Sequence, residues 1–264
     1  MDHNDYGGLH EDLKLTGDAM KRRDMLKLAT GGVGMGALYL FGRADDLQGN
    51  DGVAQTCDKI PEETAGPFPG DGSNGPNVLD KAGVVRTDIR PSFAGLSGVA
   101  AGVPLTVILQ LVDLQNGCKP APGMAVYVWH CDRAARYSLY DRGATDQNYL
   151  RGVQESDANG ELSFTTIFPG CYRGRWPHIH FEVFPSLAAA ATDERKRIAT
   201  SQLAFPEAAC DEVYAVEGYE ASARTKRRVS LTRDSVFRDG VARQMATMGG
   251  DVASGFTAKL TVAV

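Results

Sequence analysis

The sequence predicts an all-β protein: two sheets packed as a β-sandwich, with short surface helices. Three observations point there. Thirty glycines and twelve prolines in 264 residues punctuate the chain too often for long helices. Several short runs alternate apolar and polar residues with the period of two that a half-buried strand requires. A strong turn signal, Asp157-Ala158-Asn159-Gly160, introduces one of those runs. With 43% hydrophobic residues, the chain can bury one good core.

Taken in order, residues 1–44 read as an export signal, 45–60 as a linker and 61–264 as the folded domain. Lys21-Arg22-Arg23-Asp24-Met25-Leu26-Lys27 resembles a twin-arginine signal and precedes an apolar, glycine-rich run from Leu28 to Phe41. That run is too short and too glycine-rich for a comfortable membrane span; an amphipathic or anchor helix is the alternative. The expected partner is the twin-arginine (Tat) export machinery, which carries folded proteins. The expected location is therefore periplasmic or extracellular, with no stable membrane span in the mature form. Processing is expected near Ala44 or Ala54. Residues 1–44 hold six acids and six bases, so their removal leaves the net charge at −5. That acidity argues against nucleic acid as a partner.

Within the domain, Pro104 to Asp113 is a long apolar strand and Met124 to Cys131 an alternating one. Glu161 to Phe168 follows the turn, and Trp176 to Phe184 is rich in aromatic and β-branched residues. A further strand carries Ser201 to Phe205. Pro206-Glu207 opens a short surface helix reaching Ala215. Thr257 to Val264 alternates and closes the chain. Six or more strands with short connections imply two packed sheets, with a site where loops converge at one rim.

Four residues carry chemistry. His178 and His180 are two apart on an extended run, so they share a face with Cα atoms about 6.7 Å apart, close enough to grip one metal. Glu182 continues that face but would lie about 13 Å from His178, too far to complete the site. Tyr172 sits in the Pro/Gly-punctuated loop feeding the histidine strand, and Tyr137 follows the strand that ends near Cys131. Ferric iron favours anionic oxygen. A bound cation can strip a phenol of the proton it otherwise holds to about pH 10, and two neutral imidazoles add no charge. A non-haem Fe(III) centre of this kind points to ring cleavage of a catechol by O2. His130, next to Trp129, reads as structural or as lying beside the ligands. One of that pair is expected to face inward and the other outward.

The chain resembles the intradiol ring-cleavage dioxygenases, of the secreted, single-domain type. The resemblance rests on ETAGPFP from Glu63, CKPAPGMAVYVWHCDRAARYSLY from Cys118, YLRGVQESDANGELSFTTIFPGCY from Tyr149 and GRWPHIHFEVF from Gly174. It spans residues from about Ile60 to about Tyr219. It implies a prealbumin-like sandwich, with Tyr137, Tyr172, His178 and His180 as iron ligands. It also implies that Arg175 and Gln202 act beside the metal and that Tyr172 is the ligand a catechol displaces. Its phenolate takes one substrate proton, and the ring opens between its hydroxyls to a muconate-type diacid. Cys171 departs from the bulky residue common before that tyrosine and leaves pocket shape open.

Five cysteines suit an oxidising compartment: Cys57, Cys118, Cys131, Cys171 and Cys210. Two disulfides and one thiol are expected, with Cys171 left over because Tyr172 must point at the metal. Cys57 and Cys210 are expected in loops. No helical stretch lies between Ala44 and Thr106, so the pocket mouth is expected to be open. It would be built from Thr64 to Phe68 and the loop after Tyr137. Phe68 offers a stacking wall, while Arg133, Arg136 and Arg173 read as solvated. Neutral catechols, including methylated and trihydroxylated rings, are the expected substrates, with weaker turnover of protocatechuate. Two rival classes remain: a secreted binding module that lost catalysis, and a cupin-like metal oxidase built on His178 and His180.

Overall fold

The computed structural model describes residues 57–264. The predicted export signal, its processing sites and most of the 45–60 linker lie outside the described residues. Ile60 already belongs to the core: it is 2% exposed and its N–H donates to Ala263 O at 3.0 Å. The folded unit therefore begins before residue 61.

One sheet is built around β1 (Pro104–Asp113). Leu105, Val107, Leu109 and Leu111 point to one buried face, and Thr106, Ile108 and Gln110 between them are half-buried. On one side β1 pairs antiparallel with β5 (Glu161–Ile167) and, at its end, with β2 (Lys119–Pro120). On the other side β9 (Gly255–Ala263) runs parallel, from Leu105 opposite Phe256 to Val112 opposite Ala263, and β8 (Thr247–Asp251) pairs with β9. The predicted closing strand is thus real, and its partner lies about 150 residues upstream in the chain.

The second sheet has the order β4-β3-β6-β7, all antiparallel: β3 (Ala125–Trp129), β4 (Arg151–Glu155), β6 (His178–Phe184) and β7 (Ala199–Ala204). Val126, Val128, Ile179, Phe181, Val183 and Leu203 meet the buried face of β1, with Leu162, Phe164 and Leu260, between the sheets. Each such side chain contributes about 1.5–3 kcal/mol of burial. The opposite face of this sheet is buried too. Tyr127, Trp129 and Val153 pack there with Val78, Leu79, Val84 and Phe93 from the segment ahead of β1. That segment has no helix from residue 57 to 103 and is held to the sheets by backbone bonds such as Glu63 N to Thr200 O (2.7 Å) and Arg86 N to Val153 O (3.0 Å).

Two expectations change as a result. Alternation in β3 separates two cores, not core from solvent, so Trp129 and His130 are both buried. The three thiols Cys131, Cys171 and Cys210 are all unpaired and buried, and a single disulfide joins Cys57 to Cys118. Cys171 is left over as expected, but with two companions. Cys210 also lies in a helix, not a loop. The helices are short: α1 (Leu187–Thr192), capped by Ser186 Oγ accepting from Ala189 N at 3.2 Å, α2 (Glu207–Val213) and α3 (Glu220–Lys226). The predicted surface helix, α2, buries Ala209, Cys210 and Val213.

Candidate metal centre

The site lies on the outer face of the second sheet, at the end where β6 begins. His178 and His180 leave β6 on that face, while Ile179 between them enters the core. Trp129 of β3 is paired across from His180 on one side and Gln202 of β7 on the other. The Trp129 ring stacks on His180 at 4.9 Å and 7°. His178 Nδ1 contacts Trp176 O at 2.5 Å; a carbonyl can only accept, so Nδ1 carries the hydrogen and Nε2 presents a lone pair outward.

Tyr137 is set by the loop after β3. The buried Asp132 carboxylate accepts from Ala134 N (2.8 Å), Arg136 N (3.0 Å), Arg136 Nε and Nη2 (3.0 and 2.8 Å) and Tyr149 OH (3.1 Å). Asp141 Oδ2 accepts from Tyr137 N at 2.6 Å. Ala135 and Leu139, on either side of Tyr137, are held in left-handed backbone (φ 64° and 76°), an expense of about 1–2 kcal/mol each that these bonds sustain. The Tyr172 loop touches this one at Gly170, whose N–H donates to Asp132 O at 3.1 Å. A Cβ on Gly170 would lie 2.6 Å from Asp132 O and 2.8 Å from Ala135 N, so only glycine lets the two loops meet.

The four predicted ligands come together. Tyr137 OH is 3.4 Å from Tyr172 OH, Tyr172 OH is 3.0 Å from His178 Nε2, and His178 Nε2 is 3.1 Å from His180 Nε2. Donors about 2.1 Å from one cation, at angles between square and tetrahedral, sit roughly 3.0–3.4 Å apart. The donor set therefore fits a single metal ion, and its two phenols suit a hard ferric one. Among the described residues, no cluster of three or more His, Cys, Asp or Glu side chains could hold a metal, so phenol oxygens are what make this site. Tyr137, His178 and His180 are almost fully buried, and Tyr172 is half-buried. Burial holds both imidazoles well below the usual histidine range, so both stay neutral as ligation requires. Burial likewise pushes the Tyr137 phenol well above its ordinary value, so a cation must ionise it.

The remaining candidates fall as follows. Arg175 is fully buried and ion-paired to buried Asp234, Nε to Oδ2 at 3.2 Å; it is not a surface arginine. Its Nη2 donates to Gln202 Oε1 at 2.5 Å, and Gln202 Nε2 donates to Thr64 O at 2.9 Å, so the predicted Arg175–Gln202 pair exists. Glu182 shares the face of the histidines but lies further along β6, at Thr200 Oγ1 and Arg197 (both 3.5 Å), and stays out of the cluster. His130 stays out of the cluster, between Cys131 O (2.8 Å) and Thr166 Oγ1 (2.7 Å). The Phe68 ring lies 5.0 Å from Tyr137 and 5.1 Å from Tyr140, so it packs beside one of the candidate ligands. Arg136 is committed to Asp132, the Arg133 guanidinium lies against Gly218, and Arg173 is exposed.

Sequence reasoning missed two supports. Arg151, in the YLRG stretch, is buried and donates to Phe68 O (3.0 Å), Pro69 O (2.6 Å), Tyr127 OH (3.2 Å), and Ser138 O and Oγ (2.9 and 3.0 Å). It ties the Phe68 segment to the Tyr137 loop. The motif could have drawn attention to it. Asp234 carries no local signal.

Comparison with known proteins bears on the family and the fold. A family model described as Dioxygenase matches residues 74–209. An intradiol ring-cleavage dioxygenase from Tetranychus urticae superposes with a TM-score of 0.60 at 25% identity, over 78% of this chain and 94% of that one. A second dioxygenase crystal structure gives 0.60 at 26% identity with the same coverage. The dioxygenase domain of a dioxygenase–carbohydrate-binding fusion from the cellulolytic bacterium Streptomyces sp. SirexAA-E shares the fold, with a TM-score of 0.50 at 22% identity, over 78% of this chain and 98% of that one. No curated protein matches in sequence. The fold and the family match place this chain among the intradiol ring-cleavage dioxygenases, the family to which it belongs. It is accordingly an oxidoreductase of the ring-cleaving dioxygenase class, which acts on a small-molecule substrate. Among the described residues no helix is long and apolar enough to cross a membrane.

Proposed function

We propose that the chain holds one non-haem ferric ion on Tyr137, Tyr172, His178 and His180. With O2 it cleaves catechol-type rings between their hydroxyls, placing both oxygen atoms in a muconate-type diacid. The observation that carries this reading is the convergence of two phenol oxygens and two imidazole nitrogens, neighbours at 3.0–3.4 Å, with no carboxylate among them. When bound, Fe(III) supplies the Lewis acidity that ionises the catechol and readies its ring for O2.

The chain's own residues divide the remaining work. Tyr172 is half-buried where Tyr137 is sealed, so an entering ring reaches Tyr172 first. Its phenolate oxygen then takes a proton from a substrate hydroxyl. Tyr137, packed beneath Phe68, stays in place. Phe68 gives the ring an apolar face to stack on. Arg175 brings a fixed positive charge beside the site, stabilising negative charge that builds on the opening ring, and Gln202 orients it. Arg136 is committed to Asp132, the Arg133 guanidinium lies against Gly218 and Arg173 is exposed, so none of these three is fixed in place for a substrate carboxylate. This supports neutral catechols over protocatechuate. The Lys21 to Lys27 stretch supports export through the twin-arginine route after folding and metal loading.

Three measurements test the reading on the purified protein. Stoichiometric iron, a broad visible tyrosinate-to-iron band, and O2 uptake with muconate absorbance from neutral catechols are expected. A colourless, iron-free protein, or an aldehyde-bearing product, would overturn it.

A further inference from the structure

We propose that Asp234 is a positioning residue for ring cleavage: its carboxylate fixes the guanidinium of Arg175 at the angle from which it meets the substrate. The proposal rests on the ferric reading above and adds a part of the chain that the family match, ending at residue 209, does not reach. Asp234 and Arg175 are both buried, 1% and 0% exposed. Arg175 Nε donates to Oδ1 and Oδ2 at 3.3 and 3.2 Å. The same two oxygens accept three backbone N–H groups: Trp176 N at 2.6 Å on Oδ2, and Val236 N and Phe237 N at 2.8 and 3.2 Å on Oδ1.

These contacts do two things at once. Three main-chain donors give the carboxylate a single position, so the guanidinium that pairs with it inherits that position. The bond from Trp176 N also fastens the chain two residues before His178, so the arginine and the first histidine are aligned from one point. At its far side the guanidinium is stopped by Gln202, itself held by Thr64 O. Phe237, three residues on, completes the frame: its ring centroid is 5.9 Å from Arg175 Cζ and 6.4 Å from the His178 ring. Both carboxylate oxygens are taken up by these donors, so Asp234 has no lone pair aimed at a substrate proton. It acts through Arg175. A buried guanidinium without this anion would turn toward whatever acceptor or water it could find, and the charge would no longer stand where negative charge builds.

The test compares iron-loaded wild-type enzyme with Asp234→Asn, Arg175→Met and the double variant. Asp234→Asn keeps the side-chain shape and one acceptor but removes the charge. It is expected to retain wild-type iron content and the visible band, to change KM for catechol little, and to lower kcat by about tenfold or more. In the Arg175→Met background the same change is expected to have no further effect, because the residue through which it acts is gone. Wild-type kcat in Asp234→Asn would overturn the proposal. So would an equal loss in the Arg175→Met background, or a loss of activity that only follows loss of iron. Should Asp234→Asn alone not fold, Asp234→Glu, which keeps the charge but shifts it by one methylene, replaces it in the same cycle: a kcat loss with Arg175 present and none in the Arg175→Met background supports the proposal, and wild-type kcat or an equal loss in both overturns it. A wild-type protein without iron or band would overturn the ferric reading, and the proposal with it.

Discussion

Arg151 offers the sharpest check on how the site is held, because it touches no ligand yet ties together two of the segments around them. Its guanidinium makes five hydrogen bonds, to the carbonyls of Phe68, Pro69 and Ser138 and to the hydroxyls of Ser138 and Tyr127. Arg151→Lys keeps the charge but replaces a planar fork with one point donor, which can serve about two of those acceptors. Three bonds are then lost. Hydrogen bonds to a charged group are worth about 1.5 kcal/mol each at the low end, so about 4.5 kcal/mol of stability should go. Urea unfolding of the iron-free protein measures it. With a slope of roughly 2 kcal/mol per molar, the midpoint should fall by about 2 M. The iron-loaded variant should also turn over catechol more slowly, since Phe68 and the Tyr137 loop lose their common tie. A midpoint within about 0.5 M of wild type, at unchanged slope, would refute the claim that Arg151 holds these loops.

Three further outcomes are expected. His178→Ala or His180→Ala should release iron, because each removes one of four protein donors; elemental analysis of folded variants checks this, and stoichiometric iron in both would sink the assignment. Tyr172→Phe should keep iron and much of the visible band through Tyr137 while slowing substrate binding; complete loss of colour would show Tyr137 to be misassigned. His130 is pulled by burial down to about 4 from its usual range near 6.5. Between those values the unfolded chain takes up a proton that the folded chain refuses, so stability from this group is present above pH 6.5. It is lost as pH falls toward 4, by at most roughly 3 kcal/mol. His130→Gln should therefore flatten the stability profile across that window, and urea midpoints at pH 4.5 and 7 that change as in wild type would contradict it.

The sandwich and the four ligand candidates were legible in the sequence for different reasons. A His-x-His on an alternating stretch fixes two donors by strand geometry alone, and Ile179, buried between them, confirms the period. The tyrosines had no such fixed geometry: their loop positions and the chemistry of ferric iron raised them, and the family resemblance implied the same roles. Alternation itself misled at β3, where one of Trp129 and His130 was expected to face outward and both are buried, as is Tyr127. Tyr127 and Trp129 are buried by a covering of residues without regular structure that no periodicity announces. The Cys57–Cys118 bond spans 61 residues and depends on how that covering lies, which spacing cannot show. The parallel pairing of β9 with β1 is a tertiary fact of the same kind. Asp234 was invisible for another reason: an Arg-Asp-Ser sequence in a turn looks solvated, and only the buried arginine it meets gives it meaning.

These differences follow the build of the site. Tyr137, Tyr172, His178 and His180 all lie within residues 74–209, the stretch matched by the family model, on one strand and two loops that meet at Gly170. Part of what surrounds them comes from inside that stretch, as Trp129, Arg151, Arg175 and Gln202 do, and part from outside it. Thr64 and Phe68 arrive from the segment ahead of it, and Asp234 and Phe237 from the turn behind it. Metal binding needs a few donors at fixed distances, which a short run of strand and loop can supply. Selecting one ring over another, and placing a charge where the ring opens, needs walls and anchors on several sides. That demand draws on chain far away in sequence. The histidines are therefore where strand geometry suffices; Arg175, Gln202 and Phe68 were reachable through the motifs, and Asp234 and Phe237, which meet them only in the folded chain, were not.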